Sequence, residues 1–128
     1  MSREANLILC HRSTDALNAR DWTALAEIMT PEAVAGFQAS SFLAAFPDIH
    51  ITADAEWVDG DYVIQRWTDR ATHLGEFMGI PPTGRTIQFT GIGIDHIVNG
   101  KIVESWIESD TWTILQQLGA AITPPASS

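Results

Sequence analysis

The chain has 128 residues, 45% of them hydrophobic, with a formal net charge of −9 and a pI near 4.6. That length supports one domain with a core and a small pocket. The acidic balance argues against nucleic acid or an anionic membrane surface as partner, because both need clustered Lys and Arg.

The seven basic residues are scattered, and the single Cys10 has no intrachain disulfide partner, as expected for a reducing compartment. No apolar stretch reaches the roughly 18 residues of a membrane span, and no basic-then-apolar leader opens the chain. The expectation is a soluble, cytoplasmic protein.

Residues 3–19 read as a helix, since Leu7, Ile8, His11, Thr14 and Leu17 recur at helical spacing. Asp21 caps a second short helix striped by Trp22, Leu25, Ile28 and Met29. Thr30-Pro31-Glu32 supplies a cap, a first-turn proline and an acid for a third helix. Its face runs through Val34, Phe37, Ser41, Phe42, Ala45 and Phe46, and Pro47-Asp48 ends it.

Strands follow. Ile49–Val58 alternates imperfectly before an Asp59-Gly60 turn, and Tyr62–Thr72 sets Tyr62, Ile64, Arg66 and Thr68 against Val63, Gln65, Trp67 and Asp69. Thr86–Val98, an Asn99-Gly100 turn and Lys101–Glu108 complete the strands, and a helix Thr111–Leu118 stops at Gly119. Helices first and antiparallel strands after is the α+β pattern. The predicted architecture is a curved antiparallel sheet wrapped on N-terminal helices into a cone with an internal pocket. Residues 1–122 form the single domain, and 123–128 a loose tail.

The runs Phe46-Pro-Asp-Ile-His50, Thr72–Arg85 with its Gly79-Ile-Pro-Pro-Thr-Gly84 loop, Phe89-Thr-Gly-Ile92, Asn99–Trp106 and Gln116-Gln-Leu-Gly119 resemble the SnoaL-like polyketide cyclase family. That family lies within the nuclear-transport-factor-two-like superfamily of α+β cones. The resemblance implies a cofactor-free intramolecular aldol ring closure of an aromatic polyketide. It also implies a polycyclic hydrophobic ligand and a homodimer or higher homo-oligomer paired through the outer sheet face. The superfamily carries other functions on the same scaffold, so a non-catalytic binding or accessory domain, or a hydroxylation, isomerisation or epoxide-opening catalyst, stand beside the cyclase. Relative to that family, the chain between Met29 and Thr30 is shorter by about one strand plus one loop.

Four residues are candidate site groups. Spacing alone makes Asp110 the cap of the last helix. The resemblance makes it the catalytic acid/base, a carboxyl whose pKa an apolar pocket would raise. Asp95 lines the pocket if Phe89, Gly91, Gly93 and Asp95 face inward. The opposite parity, Ile92, Ile94 and His96, is the chemically more comfortable one. His73, opening the Pro-Pro loop, is a substrate-orienting group or a loop histidine satisfied by backbone. Of the tryptophans 57, 67, 106 and 112, Trp106 is the preferred pocket wall. Arg66 and Arg85 are anion holders or solvated surface charge. No metal is expected, because His11, His50, His73 and His96 lack ligand spacing.

Overall fold

The computed structural model describes residues 2–121. Helix α1 (Arg3–Ala19) starts where the Ser2 hydroxyl accepts the Ala5 N–H, and stops at Arg20, whose left-handed backbone closes the last turn. Helix α2 (Trp22–Ile28) is capped by Asp21, and α3 (Pro31–Gln38) by Thr30 with Pro31 in its first turn. The expected single third helix is broken in two. The Ser40 hydroxyl takes the Phe42 N–H at 3.2 Å and opens a separate helix α4 (Ser41–Ala45). Serine competes in this way with the helical ladder, and here local capping wins.

Strands β1 (His50–Asp59), β2 (Tyr62–Thr72), β3 (Thr86–Val98) and β4 (Lys101–Ser109) form one antiparallel sheet in sequence order, followed by α5 (Thr111–Gln117). Asn99 and Gly100 both take positive φ, as a two-residue hairpin turn of the twist-compatible type requires. The register slips between Ala53 and Ala55 in β1 and between His96 and Ile97 in β3. Such bulges bend and twist a sheet, which gives the curvature that the long strands predict.

Two apolar clusters hold helices to the concave face. Leu9, Leu17, Leu25, Ile28 and Met29 pack on Val63, Ile97 and Ile102. Phe46, Ile49, Trp67, Phe77, Ile87, Phe89, Ile114 and Leu118 form the second. Where the family resemblance leads one to expect a strand and a lid loop, the chain makes one isolated parallel bridge, Met29 to Ile102, and goes straight into α3. The tail predicted from Thr123 lies outside the described residues. Among the described residues no helix is long and apolar enough to cross a membrane.

Candidate active site

A cavity of about 890 Å³ lies between the two clusters, walled by α1, α3, α4 and the inner faces of all four strands. Its sheet wall follows from parity. On β2 the buried set is Val63, Gln65, Trp67, Asp69 and Ala71, alternating with outward Tyr62, Ile64 and Arg66. On β3, Gly93 and Asp95 line the cavity while Ile92 is 48% exposed. The comfortable parity for β3 is therefore corrected: the glycines and the acid face in. The reason is Trp67, whose indole lies where side chains at Gly91 and Gly93 would be. A Cβ on Gly91 would stand 2.2 Å from its Cη2.

Asp69 is the most perturbed carboxyl in the site. It is 3% exposed and lines the cavity, and its buried Oδ1 has no hydrogen-bond partner among the described residues. Burial, and then the negative charge of Asp54, push it up to about 7. Asp95 is held differently. Its Oδ1 accepts from the Ser105 hydroxyl at 2.6 Å and its Oδ2 from the Cys10 thiol at 3.2 Å. Burial raises its pKa, and those two bonds partly oppose the rise. Burial beside Asp95 likewise raises the Cys10 thiol, which leaves it a poor nucleophile. Asp69 pairs with Phe89 and Asp95 with Val63, so six residues of β2, roughly 20 Å, separate the two acids. They are no carboxylate dyad.

Asp110 stands elsewhere. It is exposed, and it caps α5 by accepting the Thr113 N–H at 3.1 Å and the Thr113 hydroxyl at 2.6 Å. The Thr113 hydroxyl and N–H hold its carboxyl below the usual range. The apolar setting and raised pKa expected for it are thus corrected: the carboxylate sits in water at the helix start, between the cavity-lining Ser109 and Thr111.

His73 is fully buried but does not line the cavity. Its Nδ1 accepts the Thr83 N–H at 3.1 Å and lies 2.9 Å from the Thr83 hydroxyl. Gly84 donates to the His73 carbonyl, and His73 donates to that of Arg85. It is the staple of the Pro-Pro loop, so its expected place against substrate is corrected. Trp106 is 44% exposed on the outer face near Tyr62, and the wall tryptophan is Trp67. Arg66 pairs with Asp54 at 3.6 Å, and Arg85 donates to the Gln117 carbonyl, both away from the cavity. Sequence reasoning missed Asp69, although its alternation with Val63, Gln65 and Trp67 already put it on the buried side.

An α+β cone with a curved antiparallel sheet and a mostly apolar cavity has the fold of the nuclear-transport-factor-two-like class. The chain belongs to the SnoaL-like polyketide cyclase family, whose family model matches residues 8–118. Among solved structures it is similar to IdmH of Streptomyces antibioticus, a polyketide cyclase candidate, at 31% identity and TM-score 0.77, over 90% of this chain and 99% of that one. It is also similar to AclR, a hydroxylase candidate from Streptomyces galilaeus, at 28% identity and TM-score 0.80, over 92% and 98%. A third is TsrD of Streptomyces laurentii, at 26% identity and TM-score 0.83, over 94% and 99%. No curated protein matches the chain.

Proposed function

We propose that the chain closes a ring in an aromatic polyketide by an intramolecular aldol step, with Asp69 as the acid/base. The observation that carries this reading is a nearly inaccessible carboxyl on the cavity wall, pushed up to about 7. Near neutral pH such a group populates both its base and its acid form. As carboxylate it removes a proton from the carbon between two carbonyl groups. The resulting enolate carbon attacks a second carbonyl carbon within the same molecule. A carbon–carbon bond forms, the attacked carbonyl becomes an alkoxide, and Asp69 returns the proton to that oxygen. No cofactor enters this step. The apolar walls hold the chain folded near its attack geometry, which supports ring closure alongside the proton transfer.

Asp110 retains the position that the family resemblance marks as catalytic, so paired variants test the assignment. With an aromatic polyketide methyl ester as substrate, Asp69→Asn loses turnover by roughly 10²–10⁴-fold. Asp110→Asn keeps turnover within a few fold. The opposite pattern sinks the role of Asp69 and returns it to Asp110. The likeness to AclR favours a second reading, hydroxylation, which a product heavier by one oxygen atom would identify.

The same reading places the protein in the cytoplasm, where a buried, unpaired Cys10 is the normal state of a lone thiol. It also makes a second copy of the chain the partner of the outer sheet face. Trp57, Ile64, Ile94 and Trp106 stand in one register row across all four strands. Tyr62 stacks on His96 beside them at 4.4 Å. A row of this kind is self-complementary about a two-fold axis.

A further inference from the structure

Among the described residues, Arg20, Met78 and Asn99 take positive φ without being glycine. Two of them have a local reason. Arg20 ends α1, and its guanidinium donates to the Pro47 and Ile49 carbonyls at 2.9 and 3.1 Å. Asn99 precedes Gly100 in the hairpin between β3 and β4, where asparagine followed by glycine is the favoured turn. Met78 has no such reason. It precedes Gly79 in another two-residue turn, closed by Phe77 and Ile80, whose backbones exchange hydrogen bonds of 3.0 and 2.8 Å. A left-handed backbone crowds the Cβ of methionine against the following carbonyl oxygen. A thioether cannot offset this by a local hydrogen bond, as an asparagine amide can.

The side chain adds a second cost. Met78 is 68% exposed, the most of any large apolar residue described, yet it lines the cavity. Only Ile107 on β4, among the described residues, combines the two in the same way. A side chain that borders the cavity and still meets water stands at its mouth. Its seat is fixed from behind. The Phe77 ring is buried with its centroid 5.5 Å from that of Phe42 and 5.2 Å from that of Phe46. The Leu74 and Gly75 N–H groups both donate to the Ala45 carbonyl. The loop is therefore anchored on α4, and the turn leaves the Met78 side chain uncovered. An apolar ligand filling the cavity would supply that cover, which gives the strained position a use.

We propose that Met78 is the lip of the cavity, an apolar contact that a flat aromatic ligand covers on binding and that helps to retain it. The inference rests on the cavity being the ligand site, as in the proposed function, but not on proton transfer by Asp69.

The test uses 1,8-dihydroxyanthraquinone, a neutral tricyclic aromatic, in equilibrium dialysis at pH 6 against wild type, Met78→Asn and Met78→Leu. Asparagine copies the turn that the chain already uses at Asn99-Gly100, so Met78→Asn melts at a higher temperature than wild type. The same variant binds the probe about five- to tenfold more weakly, the loss expected when about 50 Å² of apolar surface goes uncovered. Met78→Leu keeps an apolar lip and holds the affinity within about twofold. A methionine with a merely structural role would lower the melting temperature on becoming asparagine and leave binding alone. Equal affinity of wild type and Met78→Asn, a lower melting temperature for Met78→Asn, binding by Met78→Leu as weak as that by Met78→Asn, or no binding by wild type overturns the lip. Asp69→Asn binds the probe as wild type does. If that variant also keeps its turnover, the catalytic assignment fails while the lip stands.

Discussion

Replacing Asp69 by Asn tests the central physical claim without any substrate. In the folded chain the Asp69 carboxyl rises from its ordinary 3.8 to about 7, chiefly through burial. At about 1.4 kcal/mol for each tenfold change in proton affinity, this corresponds to roughly 4 kcal/mol. The sign runs against folding as pH rises. Between the two values the folded protein keeps a proton that the unfolded chain has lost, so unfolding releases it and becomes easier with increasing pH. The contribution is intact below about pH 4 and gone above about pH 7. Asparagine does not titrate and carries no such loss.

Asp69→Asn therefore matches wild type near pH 4 and exceeds it at pH 8, by up to about 4 kcal/mol, a large share of ordinary domain stability. For a domain of this size that is a rise in melting temperature of roughly 10–20 °C. Thermal or urea melts at pH 4, 6 and 8 measure the difference. Asp95 adds its own slope to both proteins, and that slope cancels in the comparison. Parallel stability profiles across this range, or a wild type more stable at pH 8, would refute the argument that Asp69 is held uncomfortably in an apolar wall. The expected gain in stability together with the loss of turnover is the usual trade between an active site and its scaffold.

The remaining predictions concern neighbouring groups. The rate of ring closure rises with pH up to about 7 and levels off above it, because the carboxylate is the base. Asp54→Asn removes a nearby negative charge and moves that midpoint lower; a pH–rate profile with an unmoved midpoint counts against the Asp54 contribution. Gly91→Ala drives a Cβ to 2.2 Å from the Trp67 ring and 2.6 Å from the Glu108 carbonyl. It should lower stability by about 1–3 kcal/mol in urea melts, and a neutral result would mean the indole does not occupy that seat. Asp110→Ala lowers the melting temperature at neutral pH by removing the α5 cap, and the difference fades as pH falls below the depressed carboxyl value. Trp106→Lys converts the proposed dimer to a monomer in light scattering at several concentrations, without loss of fold. A wild type that is already monomeric at every concentration rejects the pairing.

The comparison of Asp69 with Asp110 shows which kind of information each level holds. Element order, turns and caps are short-range properties. Asp21, Thr30 and Asp110 sit before helices because an oxygen there meets free N–H groups, whatever the rest of the chain does. The alternation of Val63, Gln65, Trp67 and Asp69 likewise writes the buried face of β2 into the sequence, and so made Asp69 legible in principle. Its chemical weight was not legible. An acid among apolar residues reads as an interruption of the strand until one knows that, among the described residues, its buried Oδ1 finds no hydrogen-bond donor.

Local reasoning went astray where long-range packing outbids local comfort. On β3, the isoleucine parity suits a buried face in isolation, but the Trp67 ring from the neighbouring strand needs the flat floor of Gly91 and Gly93. That requirement turns Asp95 inward and Ile92 outward. His73 and Trp106 failed as site residues for the same reason. The loop hydrogen bonds that bury His73 and the sheet curvature that leaves Trp106 outside join residues far apart in the chain. By itself the sequence determined the α+β order, the strands to within a residue at their ends, the Asn99-Gly100 turn and the family. The first hairpin turns at Gly60-Asp61 rather than at Asp59-Gly60. Only the tertiary structure decided which carboxyl is starved of water and partners, because desolvation is a sum over every neighbour and no sequence window contains them all.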